Sequence, residues 1–125
     1  MNEYQEQILD NFKNPRNFGN PQWNPSTSQQ VQNVSCGDEI EVFILLDNNI
    51  ISDIKFVGRG CSISIASASL LTEEFKGKET EYALEFSEDD LKNLLGIPLT
   101  TSRLVCATLA LEAIKAALKV KSPTQ

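Results

Sequence analysis

The strongest pattern in this chain lies toward its C-terminal end, where Leu104, Ala107, Leu111, Ile114 and Leu118 recur at alternating spacings of three and four residues. That is the period of one face of an α-helix, and a stripe so long must be buried against another apolar surface. The sequence offers such a surface upstream. Ile40, Val42, Ile44 and Leu46 alternate with Glu39, Glu41, Phe43 and Leu45, a period of two that reads as a strand with one apolar face. Asp47-Asn48-Asn49 supplies turn residues, and Ile50 to Val57 returns with β-branched and aromatic side chains, so a hairpin is the simplest topology. A third strand is expected around Gln30 to Val34.

The remaining segments read as helices around that sheet. Glu3 to Lys13 carries Tyr4, Ile8 and Phe12 at helical spacing, with Leu9 beside them, and predicts one buried stripe ending at Asn14-Pro15. From Asn14 to Ser28 three prolines and no periodicity predict an irregular connector, pinned by Phe18 and Trp23. Gly58-Arg59-Gly60 breaks the second hairpin strand, and Cys61 to Lys76 reads as a helix ended by Gly77. A shorter helical pattern covers Glu79 to Leu84. Ser87, with Asp90 three positions later and then Leu91, Leu94 and Leu95, predicts a capped helix ended by Gly96-Ile97-Pro98. The order gives an α+β fold, a small antiparallel sheet of about three strands with helices on one face. With 125 residues and no linker, a single domain over residues 1–125 is expected.

Composition narrows the chemistry. A formal charge of -6 has the wrong sign for gripping a phosphate backbone, so nucleic acid is not expected as a partner. The chain has no histidine, which removes Ser-His-Asp and Cys-His catalysis and every histidine-containing zinc site. Three cysteines without a CxxC do not form a disulfide framework. The N-terminus has no secretory pattern, and Leu104 to Val120 is broken by Glu112, Lys115 and Lys119, so no membrane span is expected. A reducing cytoplasm is the expected compartment.

Each cysteine is expected at the edge of an element. Cys36 precedes Gly37-Asp38 before a strand, Cys61 starts a helix, and Cys106 is placed in the first turn of the last helix. Helix N-termini favour thiolate over thiol, so Cys61 and Cys106 are expected to be activated. Gly37, Gly58 and Gly60 would let backbone come close to whatever the sulfurs hold. Asp38 can complete a three-sulfur, one-oxygen tetrahedron around zinc or iron. The alternative treats each cysteine as a small core hydrophobe and Asp38 as a turn acid, and the gaps of 25 and 45 residues between the cysteines match no local metal motif. Arg59 and Arg103 read as solvated or helix-capping. Ser62, Ser64, Ser67 and Ser69 read as tight helix packing, with no general base beside them. Glu88-Asp89-Asp90 reads as a helix N-terminus complementing its dipole.

Cys36-Gly37-Asp38, Gly58-Arg59-Gly60-Cys61-Ser62-Ile63-Ser64 running into Ala66-Ser67-Ala68-Ser69, and Arg103-Leu104-Val105-Cys106-Ala107-Thr108-Leu109 resemble the motifs of the IscU/SufU family of iron-sulfur cluster assembly proteins, which includes the N-terminal domain of NifU. Tyr4 and the segment Asn14 to Gly19 match as well. The resemblance implies a SufE/IscU-like fold and one site made of Cys36, Asp38, Cys61 and Cys106. It implies a scaffold that accepts sulfur from a cysteine desulfurase on one of the three cysteines, binds zinc or iron, carries a transient 2Fe–2S cluster and passes it to apo acceptor proteins. The alternative is a SufU-type zinc-dependent sulfurtransferase that relays persulfide without building a cluster. Only that reading would make the chain an enzyme.

Two features divide the branches. IscU-type members place a histidine just before the third cysteine, where this chain has Val105, while the SufU-type insertion between the second and third cysteines is absent. The segment by which IscU-type members engage a dedicated Hsp70 chaperone aligns with Leu99 to Arg103, which lacks both prolines, so that partner is not expected. The desulfurase is expected to dock at the cysteine end.

Overall fold

The computed structural model describes residues 2–34 and 37–120. Its elements run α1 (Glu3–Lys13), β1 (Thr27–Asn33), β2 (Asp38–Asp47), β3 (Ile50–Arg59), α2 (Ser62–Phe75), α3 (Thr80–Glu85), α4 (Glu88–Leu95) and α5 (Thr101–Val120). The sheet is antiparallel in the order β1-β2-β3, so the α+β expectation stands. The turn between β2 and β3 uses Asn48 and Asn49, both at positive φ (51° and 67°), the conformation that a two-residue hairpin loop matched to strand twist requires. Cys36 lies outside the described residues.

Period two in β2 buries Ile40, Val42 and Ile44 on one face, joined by Ile54 and Phe56 of β3. Helices α2 and α5 pack on that face. Helix α5 buries Ala107, Leu111, Ile114 and Leu118 as its spacing predicts, and Leu109, Ala110, Ala113 and Ala117 besides, because α2 and the sheet enclose it from two sides. Helix α2 is the innermost element. Every residue from Ile63 to Ser69 is buried, with Ser64, Ala66, Ser67, Ala68 and Ser69 keeping the helix slim where α1, α5 and β3 all approach it.

The connector after α1 is held as expected. Phe18 stacks edge-on against Phe56 with centroids 5.3 Å apart, and the Trp23 indole donates to Asp53 Oδ2 at 3.0 Å. Helix α4 carries the capping box, Ser87 and Asp90 each accepting from the other's backbone N–H. The stripe expected on α1 needs correction. Ile8 and Asn11 are its buried residues, while Tyr4, Leu9 and Phe12 are partly exposed. Asn11 turns inward because its polar atoms are satisfied there: Ser69 Oγ donates to Oδ1 at 2.5 Å, and Nδ2 donates to the Gln7 carbonyl at 2.8 Å.

Candidate metal centre

Asp38, Cys61 and Cys106 come from three elements that meet at one end of the sheet. Asp38 opens β2, opposite Asn33 of β1. Cys61 is the N-cap of α2, with no side-chain capping bond and no acidic residue in the first turn that follows, so its exposed thiol sits at the positive end of that helix. Cys106 projects from α5, partly buried. One ligand atom from each of these residues lies within 4.8 Å of the other two.

The expectation for Cys106 needs correction. Helix α5 begins at Thr101, where Thr100 Oγ1 accepts from the Arg103 N–H at 3.3 Å and the Thr100 carbonyl from Leu104 N–H at 2.9 Å. The polar first turn carries no apolar stripe, so the periodicity locates the helix start one turn late. Cys106 therefore stands in the second turn, beyond the reach of the unpaired N–H groups that would favour its thiolate.

The glycines also play another part than expected. A Cβ on Gly58 would lie 2.2 Å from the Glu39 carbonyl oxygen, and one on Gly60 would lie 2.8 Å from Asp38 Cγ and 3.0 Å from Ser64 Cβ. Both are glycine because protein atoms fill the space, not to admit what the sulfurs hold. Gly37 has open space around it and a φ of +77°, the left-handed region that glycine enters without strain.

Ser64 is the residue that sequence reasoning missed. Its hydroxyl donates to Asp38 Oδ2 at 2.5 Å, so a carboxylate does stand beside one of the four serines. Tight packing describes its neighbours: Ser67 donates to the Ala107 carbonyl and Ser69 to Asn11. The available signal was position, since a residue three after Cys61 shares its helix face. Arg59 is exposed and pairs with Glu39 at 3.1 Å, consistent with a solvated role. A shallow recess of about 150 Å³ lined by Gln32, Asn33, Val34, Gly37, Asp38, Glu39 and Arg59 opens beside the aspartate.

The donor set fits a borderline-soft ion. Two thiols and a carboxylate suit zinc or iron, and at metal distances of about 2.0–2.3 Å a tetrahedral site has ligand edges of roughly 3.5–3.8 Å. A spread of 4.8 Å needs movement of only about 1 Å to close.

The family profile of the NifU-like N terminal domain matches residues 3–122. The chain belongs to the NifU-like N-terminal domain family. Among similar members, the zinc-dependent sulfurtransferase SufU of Bacillus subtilis is 38% identical, over 90% of this chain and 86% of its own length. The iron-sulfur cluster assembly scaffold protein IscU of Aquifex aeolicus is also 38% identical, over 94% of this chain and 74% of its own. A crystal structure of a candidate iron-sulfur cluster assembly scaffold for the SUF system of Fervidobacterium islandicum superposes with a TM-score of 0.77 at 28% identity, covering 94% of this chain and 96% of that one. Relatives named for sulfur transfer and relatives named for cluster assembly are thus equally similar to this chain in sequence. Among the described residues no helix is long and apolar enough to cross a membrane.

Proposed function

We propose that this NifU-like chain is an iron-sulfur cluster assembly scaffold that accepts sulfur from a cysteine desulfurase, builds a 2Fe–2S cluster as its cargo, and hands it to apo acceptor proteins in the cytoplasm. The observation that carries the reading is the convergence of Asp38, Cys61 and Cys106 from β2, α2 and α5 within 4.8 Å. Cys36 is the third thiol in this proposal, two residues before Asp38 in sequence. Residues 1–125 act as one domain in this reading.

The residues divide the work by chemistry. A thiolate attacks the outer sulfur of the donor's persulfide. A new S–S bond forms as the donor's S–S bond breaks, and the departing thiolate takes the electron pair, so the exchange needs no external oxidant. Cys61, exposed at a helix N-cap, is the more accessible of the two described thiols. Asp38 is a harder ligand than a fourth thiolate, which favours a cargo that must leave. Bound zinc or iron would gather the thiolates and lower their proton affinity.

A second reading, a zinc-dependent sulfurtransferase, is favoured by Val105 standing where the scaffold branch has histidine. One experiment separates them. Protein isolated without oxygen is incubated with a cysteine desulfurase, cysteine and ferrous iron and assayed for persulfide; a dithiol is then added to supply the electrons that reduce persulfide sulfur to sulfide, and iron, acid-labile sulfide and visible absorption are measured. The scaffold gains all three and passes them to an apo acceptor. A colourless protein that keeps one zinc and carries only persulfide supports the transferase. A variant lacking all three cysteines that performs as well as wild type overturns both.

A further inference from the structure

One side chain touches every described member of the cluster without being a ligand. Ser64 is fully buried on α2, with Oγ 2.5 Å from Asp38 Oδ2, 3.3 Å from the Cys106 carbonyl oxygen and 3.6 Å from Cys61 Sγ. A hydroxyl has one proton to give. The carboxylate oxygen is the nearest acceptor, 2.5 Å away against 3.3 Å and 3.6 Å for the other two groups. The proton therefore goes to Asp38, and in the contact with Cys61 the thiol is the donor while it holds its proton. Gly60 packs against both partners of this bond and leaves no room: even a methyl group there would meet Asp38 Cγ and Ser64 Cβ. The carboxylate is thus bounded by the Gly60 backbone and by the Ser64 hydroxyl.

We propose that Ser64 is a positioning residue whose hydrogen bond fixes the Asp38 carboxylate in the orientation that offers it to a metal shared with Cys61 and Cys106. This rests on the metal-binding reading of the site. Groups that hydrogen-bond a ligating carboxylate orient it, and their loss commonly costs about 10–100-fold in metal affinity. Ser64→Ala deletes only the hydroxyl and keeps the helix packing. In this proposal its effect runs through Asp38 and not through the contacts with Cys61 or the Cys106 carbonyl, so it disappears when Asp38 is absent.

The test is a double-mutant cycle on zinc affinity. Zinc is titrated into reduced wild type, Ser64→Ala, Asp38→Ala and the double variant in competition with a chromophoric chelator, and the cobalt-substituted proteins are compared by absorption. Ser64→Ala is expected to weaken zinc binding by about 10–100-fold, with the cobalt d–d bands shifted and the thiolate charge-transfer band kept. In the Asp38→Ala background the same change is expected to alter affinity by no more than about twofold, the usual limit of additivity. An affinity for Ser64→Ala within about twofold of wild type, or an equal loss with and without Asp38, overturns the proposal. Wild type that binds no zinc overturns the site reading itself and the proposal with it.

Discussion

Substituting alanine at Gly60 tests the packing around the site in one step. Its Cβ would lie 2.8 Å from Asp38 Cγ, 3.0 Å from Ser64 Cβ and 3.1 Å from Asp38 Oδ1, against a comfortable carbon contact of about 3.5 Å. Asp38 must retreat by about 0.7 Å along that line. Ser64 is on a fully packed helix and cannot follow, so their 2.5 Å bond stretches toward the limit of about 3.0 Å for a good hydroxyl bond. Overpacking of this kind costs about 1–3 kcal/mol, and at this chain length each kcal/mol lowers the melting temperature by about 4 °C. Displacing the carboxylate should also weaken zinc by about tenfold or more. Urea denaturation of the metal-free protein and a chelator competition read the two effects separately. A Gly60→Ala protein equal to wild type in both would refute the claim that Asp38 is clamped.

Three further outcomes are expected. Asp38→Ala should slow release of a preloaded cluster to an apo acceptor, because the harder, more easily displaced ligand is gone; transfer timed by circular dichroism checks this, and unchanged or faster transfer counts against the role. Ser69→Ala leaves Asn11 Oδ1 without its 2.5 Å donor inside the α1–α2 contact and should lower stability by about 1–3 kcal/mol in urea; no change would mean that the Asn11 side chain finds another partner. Burial acts to raise the Asp53 carboxyl, but hydrogen bonds from the Ile54 N–H and the Trp23 indole, with the nearby Lys76 charge, outweigh it and hold it below its usual value. The stability from this group is therefore present above about pH 4 and lost as pH falls below it. Asp53→Asn should show a shallower acid loss in Trp23 fluorescence melts between pH 6 and pH 3, roughly the range over which carboxylates titrate; an acid limb as steep as wild type contradicts the assignment.

The architecture was legible where a single period governs a segment. The alternation from Ile40 to Leu46 and the spacing from Leu104 to Leu118 report burial directly, because one side of each element faces the core. Asn48-Asn49 and the Ser87/Asp90 box were legible because turn and cap chemistry is local. Long-range polar pairing was not. Nothing near Asn11 in sequence shows that Ser69 will take it inward, and nothing near Ser64 shows that Asp38 will lie 2.5 Å away. Helix α5 starts at Thr101, before its apolar period begins, because a solvated first turn carries no apolar signal. The candidate ligands were named from a pattern of motifs; their approach within 4.8 Å is a tertiary fact that gaps of 25 and 45 residues do not reveal.

X-ray absorption at the zinc edge, on protein loaded with one equivalent of zinc under reducing conditions, tests the account most directly because it counts the donor atoms. Cys36, Cys61 and Cys106 with Asp38 should give three sulfur scatterers at about 2.3 Å and one oxygen at about 2.0 Å, with the sulfur count falling to two in each single Cys→Ala variant. A shell of oxygen and nitrogen donors alone, or a sulfur count unchanged in any one of the three variants, would contradict it.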